Sequence, residues 1–237
     1  MTEAKISVNL VTYNGEKYLP FCLNSLKKQT CQDFELKVID NGSSDNSVES
    51  VAAQFPDTKI IRYQKNMCFA AAHNQLIAWN KTPYILILNQ DIILSEDYLE
   101  KVCTFLEARH QAAGVQGKII QWDFENNKTK AVIDSLGLEL KKNHRVIDLG
   151  QGQKTENFTA KTATEVFGLS GAVPLFRKDA LETIKIPVGS ASASGQKWEY
   201  FDEDFFSYKE DVDLAYRMRL ADQKTYCLPS AVAYHGR

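Results

Sequence analysis

A chain of 237 residues with 44% hydrophobic, 24% charged and 11% aromatic residues has a globular make-up, which excludes a disordered, collagenous or coiled-coil protein. The length admits one large domain or two small ones. With 28 Lys and Arg against 30 Asp and Glu, the formal net charge is −2 and no basic stripe is present, so no nucleic-acid partner is expected.

The expected partner is instead a small anion held by a metal or by backbone amides. The five cysteines are odd in number, scattered and free of any CxxC pair, which speaks against zinc or redox exchange and for a reducing cytoplasm. The N-terminus has no signal-peptide pattern, and no stretch approaches the ~18 apolar residues that a membrane span needs. Any membrane contact is expected to be peripheral.

Ile6 to Thr12 is β-branched and compact and reads as a strand. Glu16 to Gln29 then places Tyr18, Leu19, Cys22, Leu23 and Leu26 on one helical face. Phe34 to Asp40 is a second strand, ended by Asn41-Gly42-Ser43-Ser44-Asp45. Ser44 or Asp45 is placed to cap the next helix, whose inner side carries Val48, Val51 and Ala52. Lys59 to Tyr63 is a short strand, Ala70 to Trp79 a helix, and Tyr84 to Leu88 a wholly apolar strand of the kind covered on both faces. Glu96 to His110 follows as a helix. This alternation predicts a doubly wound, mostly parallel α/β sheet.

Beyond Gly117 the pattern changes to β and loop over Lys118 to Asp148. Thr162 to Phe176 reads as an apolar strand region around Gly168-Leu169-Ser170-Gly171, and Arg177 to Thr183 as a short helix. Gly189 to Gly195 is a small-residue tract read as a mobile loop. Asp211 to Asp222 reads as a helix, and His235 follows the apolar Ala231 to Tyr234, where a lone terminal histidine is ordinarily exposed.

Clusters at strand ends are where open α/β sheets bind ligands. They are Val11-Thr12-Tyr13-Asn14, Asp40-Asn41-Gly42-Ser43 and Asn89-Gln90-Asp91. Asp91, after a buried strand, needs a partner, a metal or a helix to cap. Asp40 is equally good turn chemistry. Neither a G-x-G-x-x-G nor a P-loop is present, so phosphate has to be held differently, and a divalent cation on a strand-end aspartate would serve. A fourth cluster, Phe201 to Leu214, interleaves acids with aromatics, which suggests carboxylates against apolar walls with raised pKa values. Asp213 and Arg217 stand four apart on the following helix and read as a structural ion pair.

In order, these clusters resemble the family 2 glycosyltransferases of the GT-A fold, over nearly the whole chain. The matching pieces are Val11 to Asn14, Val38 to Ser47, Asn66 to Asn74, Leu88 to Asp91, Gly168 to Ala172, Phe201 to Phe206, Tyr208 to Leu214 and His235. The Asn89-Gln90-Asp91 form and the Glu210-Asp211-Val212-Asp213-Leu214 segment look most like the rhamnosyltransferases of bacterial surface polysaccharide synthesis. Two departures stand out: Cys68 where the Asn-x-Gly-Phe motif commonly has glycine, and Asn89 for the first acid of a strict Asp-x-Asp.

The resemblance implies an α/β GT-A fold, with a Rossmann-like, mostly parallel central sheet flanked by helices and a smaller β- and loop-rich acceptor half. Residues 1–237 would form a single catalytic domain, with 1–115 the nucleotide-sugar half and 116–237 the acceptor and catalytic-base half. Relatives are expected to continue past His235, so a C-terminal extension is expected to be absent here. On the donor side, Thr12, Tyr13 and Asn14 would line the base and ribose pocket, Asp40 would accept a hydrogen bond from a pyrimidine imide, and Asn66, Asn74 and Asn89 would also face the donor.

Asp91 and His235 would bind a divalent cation, Mg2+ or Mn2+. Asp211, beside Glu210, would be the general base of an inverting displacement. Gly171, Trp198 and Tyr208 would lie on the acceptor side, although core packing explains the aromatics nearly as well. The implied partners are a dTDP- or UDP-linked sugar, rhamnose included, and a glycan or lipid-linked acceptor, met in the cytoplasm at the inner face of the membrane. Specificity is expected in the loops 122–161 and 189–195. Two other readings compete: a catalytically silent nucleotide-sugar-binding module, and a sugar nucleotidyltransferase, which would normally carry a Gly-rich basic N-terminal loop.

Overall fold

The structure, a computed structural model, describes residues 4–188 and 196–236. The small-residue tract 189–195 lies outside the described residues, so the reading of it as a loop is not addressed. In chain order the first half contains β1 (Ile6–Thr12), α1 (Leu19–Lys27), β2 (Phe34–Asp40), α2 (Ser47–Gln54), β3 (Ile60–Arg62), α3 (Phe69–Ala78), β4 (Tyr84–Asn89), β5 (Ile92–Leu94) and α4 (Tyr98–Ala108). The second half contains β6 (Ala112–Asp123), β7 (Lys128–Ser135), β8 (Leu138–Leu140), β9 (Val146–Asp148), β10 (Thr164–Val166), β11 (Leu175–Arg177), α5 (Lys178–Ile184), β12 (Ile186–Pro187), β13 (Trp198–Glu199), α6 (Glu210–Leu220) and β14 (Lys224–His235).

One ten-stranded sheet runs through both halves in the order β10-β14-β6-β11-β4-β1-β2-β3, with β5 on β14 and β7 on β6. β4, β1, β2 and β3 are parallel, as short βα units require. β11 enters antiparallel between β4 and β6, and β14 returns parallel to β6. β4 is apolar throughout because it serves two cores. Leu86 and Leu88 pack with Leu19 and Leu23 of α1 and Leu99 of α4, whereas Ile85 and Ile87 pack with Ala70 and Ile77 of α3 and Leu214 and Met218 of α6. Among the described residues, no helix is long and apolar enough to cross a membrane.

The structure corrects three sequence expectations. Thr162 to Phe176 is not one strand: β10 ends at Val166 and β11 begins at Leu175. Between them Gly168 lies so close to α6 that a Cβ there would come within 2.3 Å of the Ala215 Cβ, and the Ser170 N–H donates to Gln116 Oε1 at 2.7 Å. The segment before His235 is no loose terminus but the end of the twelve-residue β14, whose alternating burial places Ala231, Ala233 and His235 inward. The helix after the Asn41 to Asp45 turn has Asn46 at its N-cap with no side-chain cap, while Asp45 Oδ1 accepts the Ser47 N–H from one residue further out.

The fully buried Tyr98 clamps the sheet's middle. Its hydroxyl donates to the Val173 carbonyl at 2.8 Å and accepts the Gly117 N–H at 3.0 Å. Tyr98→Phe would leave both backbone groups unpaired in the core. We expect a loss of about 2 kcal/mol in denaturant unfolding, with an unchanged far-UV spectrum.

Candidate active site

The site forms where strand order changes, around the carboxyl ends of β1, β2 and β4. Asn89-Gln90-Asp91 carries the chain from β4, which pairs with β1, to β5, which pairs with β14. His235, opposite Ile92 in that pairing, thus arrives beside Asp91. Its Nε2 lies 3.3 Å from Asp91 Oδ2 and its Nδ1 lies 2.7 Å from Oδ2 of Asp134, a buried residue of β7. Burial opposes charge on this imidazole, but the hydrogen bonds to Asp134 and Asp91 outweigh it and push the His235 pKa up to about 9.

This donor set fits a divalent cation. A carboxylate holding Nδ1–H from behind is the usual support of a metal-bound histidine; a cation there would take the place of the Nε2 proton that now faces Asp91. No group of three or more acids, histidines or cysteines able to hold a metal occurs among the described residues. Asp91 and His235 would therefore offer two positions, leaving the rest for phosphate oxygens and water, as Mg2+ and Mn2+ sites often do.

On one side of Asp91 a cavity of about 270 Å³ is lined by Tyr13, Asn41, Asn66, Cys68, Asn89 and Asp91, among others. Its floor is a net of amides. Asn41 Nδ2 donates to Asn66 Oδ1 at 2.9 Å and to the Cys68 carbonyl at 3.2 Å, while Asn41 Oδ1 accepts the Met67 N–H at 2.8 Å. This net holds Cys68 at φ 72 and ψ 169, a region that glycine alone enters easily, and the Cys68 Sγ accepts the Ala71 N–H at the start of α3. The departure from glycine noted in the sequence is therefore a strained residue.

The remaining expected donor residues fall into different places. Tyr13, Asn66 and Asn89 line the cavity. Thr12 is buried beneath it, donating to Gln90 Oε1 at 2.6 Å, and Gln90 also exchanges hydrogen bonds with the Tyr13 backbone. Asn14, at φ 49, accepts the Ser44 N–H and so clasps the loop after β2. Asp40 is buried; its Oδ1 accepts the Ser43 N–H, while Oδ2 has no hydrogen bond and only the Arg62 guanidinium at 3.6 Å. Asn74 departs from expectation. It is fully buried, and its amide takes the Tyr200 and Phe201 N–H groups and donates to the Phe201 carbonyl and Glu203. It fastens the acidic-aromatic loop to α3 rather than facing a donor.

On the other side a cavity of about 450 Å³ is lined by Asn89, Gly171, Tyr208, Glu210, Asp211 and His235, among others. The Gly171 N–H donates to Asp211 Oδ2 at 3.2 Å. Burial raises Asp211 despite that bond, and burial with the neighbouring Asp211 raises Glu210 to about 7. Glu210 Oε2 is buried without a hydrogen-bond partner. The raised carboxylates agree with the sequence reading, but the expected aromatic walls do not form: of the interleaved aromatics only Phe201 is buried, while Phe206 and Tyr208 are exposed. Trp198 stands apart, on the β12–β13 ribbon over Lys185, and does not line this cavity. Asp213 and Arg217 form the expected ion pair at 2.6 Å.

Sequence reading missed Asp134, Gln90 and Asn41. The β-rich pattern of residues 118–148 gave no hint which acid would meet His235, whereas Gln90 and Asn41 lay inside motifs already singled out.

Two outcomes test this geometry. Cys68→Gly should raise stability by about 1 kcal/mol, because release of the strain exceeds the entropy cost of glycine; Cys68→Val should lower it. His235, with its folded pKa of about 9 above the ordinary 6.5, stabilises the metal-free fold fully below about pH 6.5, and this contribution is lost as pH rises through about 9. The melting temperature of the metal-free protein should fall over that window, and Asp134→Asn should flatten the fall.

Comparison with known proteins follows the same lines. A model of the family described as glycosyl transferase family 2 matches residues 7–185. The chain is 32% identical over 105 residues, 41% of its length and 15% of the relative's, to a teichoic acid poly(glycerol phosphate) polymerase of Staphylococcus epidermidis. S. aureus TarS 1–349 in complex with UDP-GlcNAc shares the fold with a TM-score of 0.66 at 20% identity, over 98% of this chain and 58% of that one. GalNAc-T7 with UDP, GalNAc and Mn2+ gives 0.72 at 13% identity, over 99% and 43%. The alignments take in between 15% and 53% of the length of the curated relatives. With most of its length matched, the chain belongs to glycosyl transferase family 2.

Proposed function

We propose that the chain, as one catalytic unit over residues 1–237, moves a sugar from a UDP- or dTDP-linked donor to a hydroxyl of a glycan or lipid-linked acceptor, inverting the anomeric centre. The observation that carries this reading is the meeting of two cavities across Phe69 and Asn89, one bordered by Asp91 and the other by Asp211. A donor and an acceptor held in these cavities face each other, with a metal-binding carboxylate on one side and a base on the other. The UDP-sugar complex of TarS and the teichoic acid relative support a nucleotide-sugar donor and a surface-polymer setting. Rhamnose is the donor sugar favoured by the pattern of the site motifs.

A divalent cation, Mg2+ or Mn2+, held by Asp91 and His235, would neutralise the charge growing on the departing diphosphate. The buried Asp40 Oδ2, lacking a hydrogen bond, is available to a pyrimidine imide N–H. Tyr13, Asn66 and Asn89 border the space for the rest of the donor. Asp211, its Oδ2 held by the Gly171 amide, takes the proton from the attacking hydroxyl on the face opposite the diphosphate. Five free cysteines, four of them buried, support a reducing, cytoplasmic setting.

The test is a panel of UDP- and dTDP-sugars incubated with and without Mg2+ or Mn2+, with release of nucleoside diphosphate as readout. Turnover of none of them would overturn the reading. Asp211→Asn should lower kcat by about 10²- to 10⁴-fold, while donor affinity stays within about twofold. Because burial raises Asp211, the acid limb of the transfer rate should lie above the ordinary aspartate value of about 3.9.

A further inference from the structure

We propose that the acceptor carries a phosphate group near the hydroxyl it presents, and that Arg145 and Lys209 hold this phosphate at the mouth of the larger cavity. The inference rests on the transferase reading and names its acceptor class. The cavity is graded in burial. Ser170, Glu210 and His235 are buried at its inner end, whereas Arg145, Ile147, Tyr208 and Lys209 are exposed at its mouth.

The charges follow the same gradient. Asp211, Glu210 and the half-buried Asp148, whose charge acts on Asp211, lie inward, where a neutral hydroxyl suits them and an anion would be repelled. The two cations lie outward; neither has an acid within ion-pair distance among the described residues, and Lys209 acts on Asp211 and Glu210 only at longer range. Both line the cavity itself, whereas Lys142, exposed on the same hairpin as Arg145 and also without an ion pair, does not.

The backbone that presents Lys209 is shaped at some cost. Tyr208 and Lys209 are consecutive left-handed residues at φ 69 and 80, a conformation that L side chains adopt only when surroundings enforce it. Asn74 supplies part of that enforcement by pinning the loop's start to α3. Arg145 closes the β8–β9 hairpin, where the Lys141 N–H donates to its carbonyl at 2.8 Å and its own N–H donates to Asn143 Oδ1 at 3.3 Å. The turn reads Lys141-Lys142-Asn143-His144-Arg145, all exposed, on a chain whose formal net charge is −2.

A planar guanidinium fork and a point-charge ammonium facing one opening match a phosphate's tetrahedral oxygens better than they match a neutral sugar. The exposed side chains of Ile147 and Tyr208 flank the path between phosphate and hydroxyl, where an apolar or sugar-ring spacer would lie.

The test compares methyl glucoside 6-phosphate with methyl glucoside, titrated into the full chain and followed by NMR at low and at high salt. The phosphorylated probe should bind about tenfold more tightly at low salt, with the preference shrinking as salt screens it. Arg145→Gln and Lys209→Gln should each erase most of the preference. Lys142→Gln, on the same hairpin but away from the cavity lining, should keep it. Equal binding of the two probes to the native chain, or a preference untouched by both cavity variants, would overturn the proposal. So would equal binding combined with Arg145-dependent co-sedimentation with phosphatidylglycerol vesicles, which would make the hairpin a lipid contact. No turnover is needed, so a failed donor panel would sink the transferase reading separately from this binding result.

Discussion

A buried imidazole bound on both ring nitrogens by carboxylates is the interaction on which the site depends. Each of its three members comes from a different part of the chain: Asp91 from the turn after β4, Asp134 from β7, and His235 from the last residue of β14. For the three to meet, β14 has to lie between β6 and β10 and accept β5 on its far end. Asp91 and Asp134 would repel each other if His235 were withdrawn, so this cluster locks the second half of the sheet to the first. Pro229 sits at the shift of register between Leu228 and Val232 in the β14–β6 ladder, where a missing N–H is tolerated, and the strand beyond it is re-aimed toward Asp91.

Much of this fold is legible in the sequence, and for a clear reason. Where an element buries a face, the period of its apolar residues is fixed by its geometry. β1, β2 and β4, and helices α1, α3 and α4, declare themselves by spacings of two or about 3.6. The ends shift by a residue or two because capping is decided by side chains from elsewhere, as Asp45 and Glu16 show where the first and second βα loops clasp each other.

The rest was hidden because it depends on contacts distant in sequence. β14 does alternate, but its inward residues Ala231 and Ala233 are small and its polar residues face both ways, so the stretch reads as a tail. Asp134 looks like any acid in a β-rich segment until His235 is placed 101 residues later. Asn74, at the end of the Asn66 to Asn74 motif, invites a donor role by its neighbours in sequence, yet helical spacing turns it inward to the 200–203 loop. The clusters do border the two cavities at the strand ends, and which of their side chains face those cavities was a matter of packing.

That inward turn of Asn74 ties the two cavities together. α3 begins at the strained Cys68, which borders the smaller cavity, and three residues, Tyr200, Phe201 and Glu203, lean on Asn74 one helical turn and a half further along. Phe69, between them, borders both cavities and packs edge-on against Phe201 at 5.5 Å. His73 completes this seam, fully buried, stacked by Phe69 and kept neutral by burial, with neither ring nitrogen hydrogen-bonded. A seam made of close-packed aromatic rings and an unpaired imidazole has little room to yield, so it passes strain from one side to the other. A displacement of the α3 N-terminus at Cys68 would therefore be felt at the loop that carries Tyr208 and Lys209. The helix that borders the smaller cavity is also the anchor of the loop leading to Glu210 and Asp211.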